Sequence, residues 1–401
     1  MLELEDALAR ILAALPEPAD ERISLRGASG RILSEPVLAA MDLPAFDNSA
    51  VDGYAVRDAD VAGASSESPV RLRIAGRVPA GRIFAGELAS GSCVRLFTGS
   101  MLPRGANAVV MQEDTRVPAG SSKEVLILEP VKPWENTRFQ GDDVKRGNVI
   151  AQAGDVLTPG RLALLAAVGS TQVQAGRRPV VGLLATGTEL KEPGEPLASG
   201  QIYESNRAGL APLIEQAGGI VRAFAPVADE PGPTRTALEL AFDECDILVT
   251  CGGVSVGETD LVKDAFEELG GNLQFWKVAV RPGRPFAFGQ KERRFFFGLP
   301  GNPVSAFVTF LLLVRPALLR WQGAADIALP SVPGILSETL TNPGARRHFV
   351  RVRMEAAGTV RSAGAQASHV LSSLASANGL VEVAPQTMLT SGTTVRVLRW
   401  E

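Results

Sequence analysis

The sequence predicts an α/β multidomain protein organised around a parallel sheet with helices on both of its faces. Three observations carry that expectation. Between residues 177 and 326, short apolar runs alternate with helical segments, the rhythm of parallel strands joined by crossover helices. The runs PVVGLLAT and DILVTCGG are apolar at successive positions rather than at every second one, as strands covered on both faces must be. On either side of this block the pattern turns β-like, with SCVRLF and NAVVMQ before it and HFVRVRM and TVRVLRW after it. The chain has 401 residues, room for two to four domains at roughly 100–200 residues each.

The elements follow in order. The opening MLELEDALARILAALPEP sets Leu4, Leu8, Ile11, Leu12 and Leu15 at helical spacing. From about 41 to 144 short β-like runs are broken by Gly and Pro, and Leu162 to Val168 is a short apolar helical stretch. PVVGLLAT then begins the sheet. A helix near Asn206 to Ala217 is closed by Gly218 and Gly219. Pro212 sits awkwardly inside it, because proline lacks the donor a helix needs. GIVRAFAPV is the second strand, TRTALELAFDEC a helix and DILVTCGG the third strand. Leu261, Val262, Ala265, Phe266 and Leu269 mark one face of a helix over Asp260 to Leu269. NLQFWKVAV and RRFFFGLP are further strands, and Asn302-Pro303 opens a long helix with Asn as N-cap and Pro at its first position. The most apolar run, Val304 to Val314, is too short to span a bilayer and reads as a buried helix.

Composition removes several classes of function. The net charge of −4 gives no basic footprint for nucleic acid or an anionic membrane. Three cysteines, Cys93, Cys245 and Cys251, make no disulfide framework or CxxC zinc motif and fit a reducing cytoplasm. With two histidines, His348 and His369, a multi-histidine metal site is excluded. A metal here would be held by carboxylates, which favours a hard ion such as Mg²⁺. The amino terminus lacks the basic region of a signal peptide. There is no Walker A motif.

Ligands of an open parallel sheet bind beyond the carboxyl ends of its strands, and this chain gathers unusual residues there. Thr186-Gly187-Thr188-Glu189 follows the first strand and Asp229-Glu230 the second. Gly252 to Gly257 and Asp260 follow the third, Arg281-Pro282-Gly283-Arg284-Pro285 the fourth, and Gly301-Asn302-Pro303 the fifth. Glu189, Asp229 and Asp260 are candidates to share a divalent cation; Lys277, Arg281 and Arg284 are candidates to hold phosphate or another oxyanion. Any one such loop is ordinary turn and cap chemistry, whereas several at one sheet edge favour a site. Gly253-Val254-Ser255-Val256-Gly257 also matches the G-x-S-x-G nucleophile elbow. That makes a Ser–Asp–His hydrolase with His348 or His369 as base the rival enzyme. Both histidines lie in the β-like tail, and the extra Gly252 makes the loop an anion cradle instead.

Two polar stretches before the sheet, FDNSAVDGY and NTRFQGDD, are loops by composition. With LFTGSMLPRGANAVVMQED, ATGTELKEPGEPL, QIYESN, TCGGVSVGETD, FWKVAVRPGRPFAFG, GLPGNPVSAF and SSLASANGL they resemble the molybdopterin molybdenumtransferase family, which includes the E domain of gephyrin. The resemblance covers nearly the whole chain. It implies a helical dimerisation domain from 1–40 and 145–176, a β domain at 41–144, a molybdopterin-binding α/β domain at 177–326 and a C-terminal β barrel at 327–401. It implies a cytoplasmic homodimer that takes adenylylated molybdopterin and molybdate and yields molybdenum cofactor and AMP with Mg²⁺. The molybdopterin adenylyltransferase is a further expected partner. Carried over by motif, the catalytic set is Asp52, Glu189, Asp229 and Asp260, the last three as metal ligands. Thr98, Arg138, Asp143, Ser255, Lys277, Arg281, Arg284, Pro300 and Pro303 would bind substrate. The site would lie between the α/β domain of one subunit and the β domain of the other. Thr188 stands where the family often has Asp or Asn, and Arg281 where Lys is frequent. Molybdate against tungstate preference is left open. A scaffolding protein is the alternative from another class; a pure scaffold need not keep the three acids together.

Overall fold

The computed structural model describes residues 1–253 and 261–400. Its central sheet has six strands, in the order Ile220–Ala223, Val180–Ala185, Ile247–Cys251, Arg294–Leu299, Ala287–Lys291, Asn272–Trp276. The first four run parallel. Ala287–Lys291 runs against both of its neighbours, so the sheet is mixed rather than wholly parallel. Asn272–Trp276 nevertheless points the same way as the parallel set, so its carboxyl end shares their edge. The reversed strand arises because Lys291 and Arg294 close a tight hairpin, which needs no crossover helix.

Apolar burial explains the layers. Val181, Leu183, Val249, Phe295 and Phe297 face one side with Leu213, Ile214, Val308 and Leu318; Leu184, Leu248 and Phe296 face the other with Leu238, Phe242 and Phe266. Helix Asn206–Gln216 carries Pro212 in its interior without breaking. Helix Pro303–Thr309 continues through a π turn, Phe310–Val314, into Arg315–Trp321. That 19-residue span is long and apolar enough to cross a membrane, but 83% of it is buried inside the protein. Pro303 does occupy the first helical position; Asn302 precedes it but makes no side-chain cap. Helix Leu4–Ala14 buries Leu4, Ala7 and Ile11 in the same core.

Strand Asp20–Ser24 pairs antiparallel with Gln172–Gly176, so the intervening chain leaves and returns at one place. That excursion contains a separate six-stranded sheet, with cores around Tyr54, Val110 and Ile127 and around Val94 and Val109. In the C-terminal segment, strands Arg347–Met354, Thr359–Ser362, Ser331–Leu336, Thr394–Leu398 and Gly379–Val383 pair in a closed ring around Val350, Val352, Val381 and Val397, a small barrel. Val280–Arg281, just beyond the central sheet, adds to its edge against Arg347–His348.

Candidate active site

At the carboxyl edge of the parallel strands lies a cleft of about 650 Å³. Thr186, Glu189, Asp229, Gly252, Pro300 and Pro303 line it. Glycine is required at two approaches. A Cβ on Gly187 would sit 2.8 Å from Glu189 Oε2, so only glycine leaves that carboxylate its place. At Gly252, φ is +96° and a Cβ would lie 2.4 Å from the Thr186 carbonyl oxygen. The first two loops are joined, because the Asp229 N–H donates to Thr188 Oγ1 at 3.0 Å. Asp260 and Ser255 lie outside the described residues.

Several arginines gather where Val280–Arg281 meets the barrel, and from that stretch Pro285, next to Arg284, lines the cleft. Arg281, Arg284 and Arg346 crowd one another: burial first, then the charges of Arg284 and Arg281, lower the pKa of Arg346. Arg351 is wholly buried, with its pKa pushed down to about 10 by that burial. It donates to Ser373 Oγ at 2.9 Å and to the Ala365 and Ala367 carbonyls at 2.8 and 3.1 Å, while its Nη1 has no partner. Among the described residues none of these four arginines has an ion pair with an acid. Uncompensated guanidinium groups at one place favour an anionic ligand. Lys277 stands nearby at φ 82°, its Nζ 4.0 Å from the Trp276 ring centre.

The β unit carries four further candidates. Asp52 Oδ1 accepts from Thr98 N–H at 2.8 Å and Thr98 Oγ1 at 2.9 Å. Those bonds hold its pKa below the ordinary value. Arg138 pairs with Asn48 in a short ladder beside the Ser49 backbone that also receives Gly99. The Asp143 N–H donates to the Leu43 carbonyl. None of Asp52, Thr98, Arg138 and Asp143 lines the cleft of Glu189 and Asp229.

Sequence reading missed several members. His369, which the sequence offers only as a base for the rival hydrolase and places away in the tail, lines the cleft. Arg351 sits in the β-like run HFVRVRM and Arg346 just before it, and neither is marked as a site residue by its pattern. Glu204 is a buried acid in the cleft wall. Asn206 Nδ2 donates to the Gly301 carbonyl at 2.9 Å. The hydrolase reading loses one base: His348 is buried, both ring nitrogens lack partners, and burial followed by Arg281, Arg351 and Arg346 pushes its pKa down to about 4. No described group of three His, Cys, Asp or Glu residues forms a metal cage. Glu189 and Asp229 in one cleft still suit Mg²⁺, which needs one or two protein carboxylates when substrate phosphate completes its shell.

Comparison with known proteins decides the family. Residues 2–169 match the MoeA N-terminal region (domains I and II), 182–320 a probable molybdopterin binding domain, and 333–400 the MoeA C-terminal region (domain IV). The chain belongs to the molybdopterin molybdenumtransferase family. A molybdopterin molybdenumtransferase of Haemophilus influenzae is 40% identical over 384 residues, covering 94% of this chain and 93% of that one. The family member of Bacillus subtilis is 34% identical, covering 99% and 94%. The molybdopterin biosynthesis MoeA protein of Pyrococcus horikoshii OT3 superposes with a TM-score of 0.84 at 32% identity over the whole of both chains. Membership in the molybdenumtransferase family leaves no role for a nucleophile-elbow serine, so the rival hydrolase is set aside.

Proposed function

We propose that this chain inserts molybdate into adenylylated molybdopterin, releasing AMP and yielding molybdenum cofactor. The observation that carries the reading is one cleft, at the carboxyl edge of the parallel strands, with Glu189 and Asp229 both on its wall. Glu189 and Asp229, with Asp260, would hold Mg²⁺ against the diphosphate of the substrate. When bound, that ion polarises the phosphate bond and offsets charge on the departing AMP. Arg281, Arg284 and Arg346 orient molybdate, Lys277 meets phosphate, and the Gly252 turn lets backbone approach the ligand. The dithiolene sulfurs that receive the metal belong to the substrate, consistent with Cys93, Cys245 and Cys251 all being buried.

The reading extends to assembly. Asp52, Thr98, Arg138 and Asp143 lie on the β unit and none lines the cleft of its own chain, so a homodimer would complete each cleft with the β unit of its neighbour. A cytoplasmic setting and delivery by a molybdopterin adenylyltransferase belong to the same proposal. The test is to incubate purified protein with adenylylated molybdopterin, molybdate and Mg²⁺ and to follow AMP and active cofactor. Undiminished AMP release after all divalent metal is chelated would refute the metal's role.

A further inference from the structure

Between the Glu189 loop and the Asp229 loop lies a buried ion cluster that the proposed reaction does not use. Glu204 has only 2% of its side chain exposed and Arg207 11%. Glu204 accepts from the Asn206 and Arg207 backbone N–H groups at 2.6 and 3.0 Å, the start of helix Asn206–Gln216. It also accepts from Arg207 Nε at 2.9 Å. Arg207 then reaches two further ways. Its Nη2 donates to Glu192 at 2.8 Å, three residues past Glu189. Its Nη1 donates to the carbonyl of Phe224, on the stretch leading to Asp229. Burial opposes the charge, but the hydrogen bonds to Glu192 and Glu204 outweigh it and raise the Arg207 pKa.

The backbone repeats this pattern. The Glu204 N–H donates to Lys191 and the Ile202 N–H to Glu189, both through carbonyls, at 2.8 and 2.9 Å. One guanidinium therefore ties the ribbon carrying Glu189, the segment leading to Asp229 and a helix start to one another. A planar group with five fixed donors can do this; an ammonium cannot reach all three.

We propose that Arg207, seated on Glu204, is a positioning residue that fixes the spacing of Glu189 and Asp229 and thereby the cleft's grip on Mg²⁺. The inference rests on the functional reading above, and the experiment separates the two. Mn²⁺ serves as a spectroscopic probe for Mg²⁺: free Mn²⁺ is followed by electron paramagnetic resonance as it is titrated into the full chain with AMP present. Wild type, Glu189→Gln, Glu192→Gln and Arg207→Lys are compared. Glu192→Gln cuts only the exposed arm, and Arg207→Lys keeps a cation on Glu204, so both spare the buried charge.

Arg207→Lys is expected to weaken Mn²⁺ binding about tenfold, through loosening of the segments that carry the metal ligands. Glu192→Gln should weaken it less, with melting temperature and the molybdate concentration for half-maximal activity near wild type in both. Mn²⁺ affinity equal to wild type in Arg207→Lys overturns the clamp while the function stands, provided Glu189→Gln still loses affinity. Mn²⁺ affinity, molybdate dependence and melting temperature all falling together also overturns it, because that marks a fold defect. Wild type that binds no Mn²⁺, or Glu189→Gln that binds it equally, overturns the metal site and the clamp with it.

Discussion

His348 gives the sharpest physical test of the barrel. Its imidazole is 3% exposed and neither ring nitrogen has a partner. The charges acting on it are Arg281 from the adjoining edge strand and Arg346 and Arg351 from its own strand segment; the strand opposite supplies Val383. Burial and these cations depress the pKa from 6.5 to about 4. The unfolded chain takes up the proton near 6.5, the folded one only near 4. Stability from this group is therefore complete above about pH 6.5, lost as pH falls to about 4 and flat below. The difference amounts to about 3 kcal/mol. The assay is direct because the chain holds only two histidines. Imidazole C–H resonances give two titrations, and one, absent from His348→Leu, should stay neutral down to about pH 4. Urea unfolding of the barrel between pH 7 and 4 should lose about 3 kcal/mol more in wild type than in His348→Leu. At pH 7 the leucine variant should be no less stable, since it removes a buried polar group that bonds to nothing. A His348 that titrates near 6.5, or equal pH slopes in the two proteins, would refute the reasoning.

Two more predictions concern the site. Arg281→Ala should raise the molybdate concentration for half-maximal activity about tenfold, the loss of one charged hydrogen bond, with Arg281→Lys milder; an unchanged molybdate dependence counts against the oxyanion grip. Asp52→Ala and Asp229→Ala, each expected to be inactive alone, should recover about a quarter of wild-type activity when refolded together, because half the dimers are mixed and each of those keeps one intact site. A doubly tagged mixed dimer as dead as its parents would show that both residues of a site come from one chain.

The sheet was legible wherever burial on both faces wrote itself as an unbroken apolar run. Val180–Ala185, Ile247–Cys251 and Arg294–Leu299 are such runs. Ala287–Lys291 was not recognised, because its apolar run is short and ends in the polar Gln290 and Lys291, and its direction depends on a hairpin rather than on pattern. Glu189 and Asp229 could be found because strand ends are fixed by the strands before them. Arg351 could not: in HFVRVRM its charge looks solvent-facing, and only the fold places the loop of Ala365 and Ala367 over it. Glu204 and Arg207 read as an ordinary helix start, since the third arm of their cluster, the Phe224 carbonyl, is distant in sequence. Asn302 had the right place for a cap, but its side chain makes no such bond.

The return of the chain from its β excursion also bears on synthesis at the ribosome. Among the described residues, strand Asp20–Ser24 finds its partner in Gln172–Gly176. At about 5–20 residues per second, that partner emerges roughly 7–30 s later. Helix Leu4–Ala14 waits longer still, because its apolar face is covered by the span Pro303–Trp321 near the other end of the chain. For most of translation the nascent protein therefore displays Leu4, Ala7 and Ile11 to solvent, an apolar stripe of the kind that holdase chaperones bind, while the excursion between the two strands can complete its own cores first.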